Sequence, residues 1–268
     1  MKDKVVVITG ATSGIGKALA YRFAKNGYKV VIGARRHELL IAVAEDIKLN
    51  GGEVAFAAVD VSKESECKNL VQTAIERFGK IDVLINNAGI SMRALFEDVD
   101  LKVLHRLMDV NFWGTVYCTK YALPHILKEK GSIVAISSIA GLKGLPARTG
   151  YSASKFAIKG FMECIRIENL KKSLHVLMAY PGFTSSNIRN TSLVADGSQQ
   201  GESPRDETKM MTAEEVAFQV YKAVKRRKSS LVLTGQGKLT VLLNKFFPDW
   251  MDKMVYREMA KEPDSPFK

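Results

Sequence analysis

The sequence lacks the long apolar run that a membrane-spanning helix needs. Such a helix requires about 20 consecutive apolar residues, and every apolar stretch of this chain is interrupted well before that length. The first apolar stretch is too short for a secretory signal and leads directly into a glycine-rich loop. These absences predict a cytoplasmic protein.

Cysteine and histidine are scarce and form no recognisable pattern. The three cysteines, Cys67, Cys118 and Cys164, are far apart and odd in number. This argues against a disulfide framework and fits a reducing compartment. The four histidines show no metal-ligand spacing, so no metal site is predicted.

Basic residues exceed acidic ones, and the formal net charge is +12. Such a charge is compatible with nucleic acid, an anionic membrane or anionic small molecules as partners. The basic residues are spread along the chain, and Arg226-Arg227-Lys228 is the one tight cluster. We therefore predict no nucleic-acid partner.

Apolar runs alternate with helical patterns as far as residue 234, which predicts an α/β fold with a doubly wound parallel sheet. The runs are continuous and rich in Val and Ile, as in strands that are covered on both faces. Predicted strands are 5–9, 29–34, 54–59, 81–85, 132–137, 175–180 and 231–234. Predicted helices are 15–26, 37–50, 63–78, 101–127, 151–171 and 213–226, the last with a capping box at Thr212 and Glu215.

Two segments interrupt this alternation. The segment 182–211 is polar and has little periodicity, which is typical of a lid or a disordered loop. Residues 238–268 carry apolar residues at helical spacing instead. We therefore predict a single domain, 1–237, with a helical extension, 238–268.

The first strand leads into a loop that indicates a dinucleotide cofactor. Glycine permits a tight turn and close approach to a pyrophosphate, and the following helix N-terminus offers N–H donors. The spacing is G-x-x-x-G-x-G rather than the commoner G-x-G-x-x-G, so a simple tight turn is the alternative. The loop reads Gly10-Ala11-Thr12-Ser13-Gly14-Ile15-Gly16.

The second strand has no acid at its end, where dinucleotide folds usually hold the ribose 2′-hydroxyl. Arg35 and Arg36 stand there instead. A carboxylate would repel a 2′-phosphate, whereas a guanidinium can bind one through two hydrogen bonds. We therefore predict NADP(H) rather than NAD(H); the alternative is that both arginines belong to a solvated helix start.

Tyr151 and Lys155 have the spacing that places two side chains on one face of a helix. An ammonium beside a phenol favours the phenolate and should lower the pKa of the tyrosine. Ser138 ends the preceding predicted strand, at the sheet edge where open α/β sheets bind ligands. Strand alternation and spacing favour Ser138 over Ser137, and an ordinary exposed Tyr–Lys pair is the alternative.

Together these motifs resemble the short-chain dehydrogenase/reductase family, over nearly the whole chain to about residue 234. The resemblance implies a seven-stranded Rossmann fold. It is carried by the glycine loop, Asp60-Val61, Asn86-Asn87-Ala88-Gly89, Asn111, Ser137-Ser138, the Tyr151 to Lys155 motif and Pro181-Gly182.

The resemblance implies a role for each matching residue. Tyr151 would protonate the carbonyl oxygen of the substrate. Lys155 would lower the pKa of Tyr151 and bind the nicotinamide ribose. Ser138 would donate to the substrate oxygen, and Asn111 would hold a water in a proton relay; a core hydrogen bond is the alternative for Asn111. Cofactor contacts would come from Gly10, Thr12, Ser13, Gly14, Ile15, Gly16, Arg35, Arg36, Asp60, Val61, Asn87, Ala88, Gly89, Tyr151, Lys155, Pro181, Gly182, Thr184 and Ser186.

Two of these assigned cofactor contacts have alternatives. Asp60 has helix capping as its alternative. Family members often carry a Thr shortly after Pro-Gly; here Ser186 has that position, whereas Thr184 stands where Val or Ile is common. Either hydroxyl could contact the nicotinamide amide.

The tail resembles the extension of the 11β-hydroxysteroid dehydrogenase-like subgroup, which implies an apolar ketone substrate. Its two apolar stripes could contact anionic lipid through an interfacial helix pair, or pack on a partner subunit, or cover the active site. An apolar pocket is predicted from Met92, Leu95, Phe96, Leu142, Leu145, Phe183 and the lid.

These expectations converge on an NADPH-dependent oxidoreductase that reduces a ketone or aldehyde. The alternatives are a non-enzymatic NADP(H)-binding sensor or scaffold, and an epimerase or dehydratase of the same family. The resemblance also implies a homodimer or homotetramer through the helices that contain Asn111 and Tyr151.

Overall fold

A computed structural model describes residues 3–202, 208, 210–262 and 265–267. The chain forms one seven-stranded parallel sheet in the order β3-β2-β1-β4-β5-β6-β7. The order reverses between β1 and β4, and ligands of such sheets bind beyond the carboxyl ends of the strands at this switch point. The strands are β1 Val5–Thr9, β2 Lys29–Ala34, β3 Val54–Ala58, β4 Val83–Asn86, β5 Ser132–Ile136, β6 His175–Tyr180 and β7 Ser230–Val232.

Helices cover both faces of the sheet, as the predicted alternation requires. The seven predicted strands are confirmed with ends that shift by at most two residues, and the capping box at Thr212 and Glu215 is present. The helices are α1 Gly14–Lys25, α2 His37–Leu49, α3 Glu64–Phe78, α4 Leu101–Leu107, α5 Gly114–Lys128, α6 Thr149–Glu168, α7 Ala213–Lys225, α8 Gly235–Phe246 and α9 Pro248–Ala260.

Strand β1 shows why the sheet is buried on both sides. Val6 and Ile8 belong to the core beneath α1, α2 and α7, whereas Val5 and Val7 belong to the core beneath α3, α5 and α6. Successive side chains of a strand point to opposite faces. A continuous apolar run is therefore what a sheet with two cores needs.

The helix predicted over 101–127 is present over 101–128, but it contains an irregular turn at its centre that was not predicted. A π-helical segment, Met108–Trp113, separates α4 from α5. Such a segment adds one residue to a helical turn, and it is often found at functional sites. Here it carries Asn111, whose carbonyl accepts a hydrogen bond from the Thr115 hydroxyl at 2.8 Å.

The segment 182–211 is not a detached loop in its described part. Leu193 is buried, and its N–H and C=O bond to the backbone of Ser91 and Arg93 at 2.9 and 2.8 Å. It packs in a small core with Met92 and Leu107. Residues 203–207 and 209 of the predicted lid lie outside the described residues.

The tail forms α8 and α9, which pack against each other. Part of their apolar surface faces inward, and part remains exposed, including Leu242, Phe246 and Phe247. Among the described residues, no helix combines the length and apolar character that crossing a membrane requires.

Candidate active site

A cleft of about 900 Å³ opens at the carboxyl edge of the sheet, where β1 and β4 diverge. The glycine loop forms one end, the start of α6 forms the middle, and the tail covers the other end. Every residue predicted for the site lines this cleft except Asn111. The fold therefore brings together residues that are scattered along the sequence.

The glycine loop is shaped for close approach to a ligand. Gly14 has φ +52°, in the left-handed region that favours glycine. A Cβ atom at Gly16 would collide with the Gly10 carbonyl and the Asn87 side-chain amide. That amide donates to the Thr9 carbonyl at 2.9 Å and so ties the loop to the end of β4. Helix α1 begins at Gly14, and its first residues line the cleft, so an anion bound there would lie at a helix N-terminus.

Arg35 and Arg36 are exposed at the adjoining end of the cleft. Arg36 donates a hydrogen bond to the Thr12 hydroxyl at 3.3 Å, which joins the second strand's end to the glycine loop. Both guanidiniums lie where the chain leaves β2. This surface can accept a phosphate group, and it adjoins the glycine loop, where a pyrophosphate could bind.

Asp60 forms the side of the cleft next to these arginines. Burial raises the pKa of Asp60. Hydrogen bonds from the hydroxyl and the N–H of Ser62, together with the charge of Arg35, have the larger combined effect and hold the pKa below its usual value. The carboxylate is therefore ionised at neutral pH. Helix α3 begins later, with Lys63 at its cap position, so Asp60 does not cap that helix.

Tyr151 and Lys155 stand one turn apart at the start of α6, as predicted. The Lys155 Nζ lies 5.7 Å from the centre of the tyrosine ring and donates to the Ile136 carbonyl at 3.1 Å. Burial lowers the pKa of Lys155 to about 8. The lysine thus remains mostly protonated at neutral pH while lying close to its titration range.

The prediction that the pKa of Tyr151 is lowered was wrong for the protein without cofactor. Burial raises the pKa of Tyr151, and this outweighs a hydrogen bond from Ser138 and the positive charge of Arg148, which both lower it. The prediction considered the neighbouring ammonium and left out the loss of solvent, which disfavours a phenolate.

Ser138 lies against Tyr151, as the spacing predicted. Its side chain accepts the Ala140 N–H at 3.2 Å and caps a short 3₁₀ turn, Ile139–Gly141. Ser137 is the neighbouring alternative; its hydroxyl oxygen is buried and has no hydrogen-bond partner among the described residues. The arrangement supports Ser138 as the hydroxyl that faces a substrate.

Asn111 is fully buried behind the cleft rather than in its wall. Its amide donates to the Ile90 carbonyl at 3.0 Å and to the Ser154 hydroxyl at 2.9 Å, and its oxygen accepts the Ile90 N–H at 2.8 Å. These contacts hold the segment after β4 against α6. They correspond to the core hydrogen bond that was the alternative to a water relay.

Thr184 and Ser186 both line the cleft. The Thr184 hydroxyl donates to the Gly182 carbonyl at 3.3 Å, while a Cβ atom at Gly14 would lie 3.2 Å from the Ser186 Cβ. Ser186 therefore closes over the glycine loop. Which hydroxyl contacts a cofactor stays a prediction.

The predicted apolar pocket was only partly right. Leu145 and Phe183 line the cleft, but Met92 is fully buried in the small core and Phe96 is 63% exposed. Leu95 and Leu142 do not line it either. The sequence pattern around these residues did not reveal which side chains point into the cleft.

The tail supplies the apolar wall that was expected from those residues. The spacing of apolar residues in the tail predicted two helical stripes, but it did not predict which surface those stripes contact. Tail residues that line the cleft include Leu239, Leu243, Trp250, Met251, Met254 and Met259. Arg148, which precedes α6, and Glu262, which follows α9, were missed because neither belongs to a sequence motif.

The chain is similar to known enzymes in sequence and in structure. It is 44% identical over 187 residues to an 11-beta-hydroxysteroid dehydrogenase-like 2 protein of Arabidopsis thaliana, covering 69% of this chain and 60% of that protein. It is 34% identical to an 11-beta-hydroxysteroid dehydrogenase A of Sesamum indicum, over 97% of this chain and 78% of that protein, so this similarity extends into the tail.

Solved structures share the fold. An alcohol dehydrogenase from the archaeon Thermococcus sibiricus, complexed with 5-hydroxy-NADP, superposes with a TM-score of 0.77 at 26% identity, over 86% of this chain and 95% of that one. A short chain dehydrogenase/reductase from Burkholderia phymatum, in complex with NAD, superposes at 0.82 over 93% and 95%, and its 24% identity supports the fold alone. A family model described as short chain dehydrogenase matches residues 4–195. This chain therefore belongs to the short chain dehydrogenase family of oxidoreductases.

Proposed function

We propose that this protein is an NADPH-dependent oxidoreductase that reduces an apolar ketone or aldehyde to the alcohol. The observation that carries the proposal is the position of Ser138, Tyr151 and Lys155 in the same cleft as the glycine loop. A sensor or scaffold would need the loop but not three proton-handling side chains at one point.

The chain's own residues would divide the work along the cleft. A nicotinamide cofactor, when bound, supplies a hydride to the carbonyl carbon. The Tyr151 hydroxyl donates a proton to the carbonyl oxygen, and the Ser138 hydroxyl donates a hydrogen bond to the same oxygen as negative charge develops there. The raised pKa of Tyr151 keeps it protonated before reaction, which suits a proton donor.

Lys155 would restore the proton that Tyr151 gives away. It lies one helical turn further along α6, and burial brings its pKa to about 8. An ammonium with that pKa releases a proton more readily than an unperturbed lysine, whose pKa is 10.5. Asn111 would act indirectly, because its bonds to Ile90 and Ser154 hold the two sides of this corner together. The water relay expected at Asn111 stays a separate prediction.

The preference for NADPH rests on the basic end of the cleft. Arg35 and Arg36 are exposed beside the glycine loop, where a 2′-phosphate would gain charge-assisted hydrogen bonds. The solved relative from Thermococcus sibiricus is described with an NADP derivative, which supports this assignment.

The substrate assignment rests on the tail. Its Leu, Met and Trp side chains line the end of the cleft beyond Tyr151. The plant relatives are described as an 11-beta-hydroxysteroid dehydrogenase-like protein and an 11-beta-hydroxysteroid dehydrogenase, and a steroid is a large apolar carbonyl or alcohol compound. Both observations support a bulky apolar substrate.

Replacing Tyr151→Phe tests the proposed reaction. Removal of the hydroxyl should lower kcat/KM for carbonyl reduction by about 10³-fold or more, because the proton donor is lost. NADPH binding, followed by its fluorescence, should change little. Turnover close to that of the native chain would contradict the proposal, and so would a native chain that binds NADPH without reducing any carbonyl compound.

The cofactor preference is tested by comparing the two reduced cofactors. We expect a higher kcat/KM with NADPH than with NADH. Replacing Arg35 and Arg36 together by Ala should weaken NADPH binding about tenfold or more, since charge-assisted hydrogen bonds are lost. NADH binding should stay within about twofold. A native preference for NADH of tenfold, about 1.4 kcal/mol, would reject the assignment.

A further inference from the structure

A carboxylate from the end of the tail is buried beside two arginines at the substrate end of the cleft. Glu262 is 5% exposed, and its Oε2 lies 3.5 Å from the Arg93 Nε and 3.7 Å from the Arg148 Nη2. Charged side chains are rarely buried unless they are paired. The three residues lie far apart in the sequence, and Glu262 lies well beyond the part that matches the family model.

The backbone is built to bring the two arginines together. The Ala94 N–H bonds to the Ala147 carbonyl at 3.1 Å, which aligns the segment after β4 with the loop before α6. Ala147 is buried with φ +56°, a conformation that is uncommon for a residue with a side chain. Arg148 then stands three residues before Tyr151, close enough for its charge to act on the phenol.

The tail is fastened to this part of the molecule at two further points. Lys143, which is buried, forms an ion pair with Asp252 of α9. At the start of α8, a Cβ atom at Gly237 would lie 2.7 Å from the Ile139 side chain, so α8 approaches the turn after Ser138 closely. Between these points, the apolar inner side of α8 and α9 lines the cleft.

We propose that Glu262 is a positioning residue of this active site, which fastens the tail over the substrate end of the cleft through Arg93 and Arg148. The apolar inner side of the tail then forms the wall that selects bulky, uncharged carbonyl compounds. The part of this inference that concerns substrates rests on the proposed function, whereas the fastening does not. Loss of the carboxylate removes the negative partner of two largely buried guanidiniums, whose side chains are 10% and 13% exposed, and releases the end of α9.

Hydrogen exchange of the full chain without cofactor tests the fastening. Glu262→Gln should speed amide exchange in α9 by about tenfold or more, because a broken buried ion pair is costly. The control is Glu258→Gln on the same helix, whose carboxylate is exposed and pairs with Lys261 at 3.4 Å; exchange should stay within about twofold, since surface pairs contribute little. Unchanged exchange in the Glu262 variant, or an equal rise in the peptides of the sheet, would overturn the proposal.

Kinetics with two uncharged carbonyl compounds of different size test the apolar wall. Glu262→Gln should raise the KM for 2-decalone by about tenfold, a loss typical of weakened apolar pocket contacts. The KM for 4-nitrobenzaldehyde should rise by a clearly smaller factor, because that compound needs little of the apolar wall beyond Ser138 and Tyr151. An equal loss for both compounds would reject the wall. If the native chain reduces neither, the proposed function fails while the exchange result still decides the fastening.

Discussion

Burial and charge compete at single residues of this cleft. Lys155 and Tyr151 are neighbours, yet burial moves their pKa values in opposite directions, down for the lysine and up for the tyrosine. Loss of solvent disfavours the charged form of each group. Both side chains are thereby kept closer to their neutral forms than they would be on the surface.

The pKa of Lys155 predicts a pH dependence of stability. Its pKa is about 8 in the folded chain and 10.5 when unperturbed. The cost of burying the ammonium is therefore fully present below pH 8. It is relieved as the pH rises from 8 toward 10.5, because there the unfolded chain binds more protons than the folded one.

Denaturant unfolding of the native chain and of Lys155→Met at pH 7 and pH 10 measures this effect. We expect the native chain to gain on the order of 2 kcal/mol relative to the variant between these pH values. The comparison cancels the titration of other groups. A difference between the two proteins that does not change with pH would mean that the lysine is not desolvated.

At the scale of elements, helix irregularities and glycines set the geometry of the cleft. The π-helical segment Met108–Trp113 turns Asn111 toward Ile90 and Ser154. The entry to α1 depends on Gly16, where a side chain would meet the Gly10 carbonyl. In both places the backbone path decides which polar groups meet.

A pair of glycine substitutions tests the packing at the entry to α1. Gly16→Ala should lower both stability and NADPH affinity, with a loss of stability of about 1–3 kcal/mol, because the methyl group overlaps with backbone. Gly160→Ala, in the middle of α6 with open space around it, should raise stability by about 0.5–1 kcal/mol. Denaturant unfolding and NADPH fluorescence measure these effects. Equal effects at the two positions would contradict the predicted overlap.

At the scale of the whole molecule, the cleft has two ends of different character. Basic side chains and the glycine loop form one end, and the apolar side of the tail forms the other. Of the three roles predicted for the tail, its position supports the covering of the active site. Contact with lipid through the exposed Leu242, Phe246 and Phe247 stays a prediction.

Exposed aromatic residues near the π-helical segment support a proposal about assembly. Trp113 is 43% exposed and stacks on Tyr117, and Phe156 on α6 is 42% exposed. We propose a homodimer or homotetramer through two helical stretches, the one that contains Asn111 in the π-helical segment and continues into α5, and α6, which contains Tyr151. Light scattering should give a mass above the 29.6 kDa of one chain.

Replacing Trp113→Arg should shift this mass toward that of one chain, because a buried unpaired charge opposes association. Leu49→Arg, at the end of α2, is the matched control; Leu49 is 86% exposed and lies outside α5 and α6. A native chain that already has the mass of a monomer would contradict the proposal.

The amino-acid sequence by itself determined the strand pattern, the glycine loop and the Ser138, Tyr151 and Lys155 set. Each of these depends on local periodicity or on a short spacing, which a sequence displays directly. The tertiary structure decided the π-helical segment at Asn111, the direction of the Tyr151 pKa and the meeting of Glu262 with Arg93 and Arg148. Each of these depends on burial or on contacts between distant segments, and neither leaves a periodic trace in the chain.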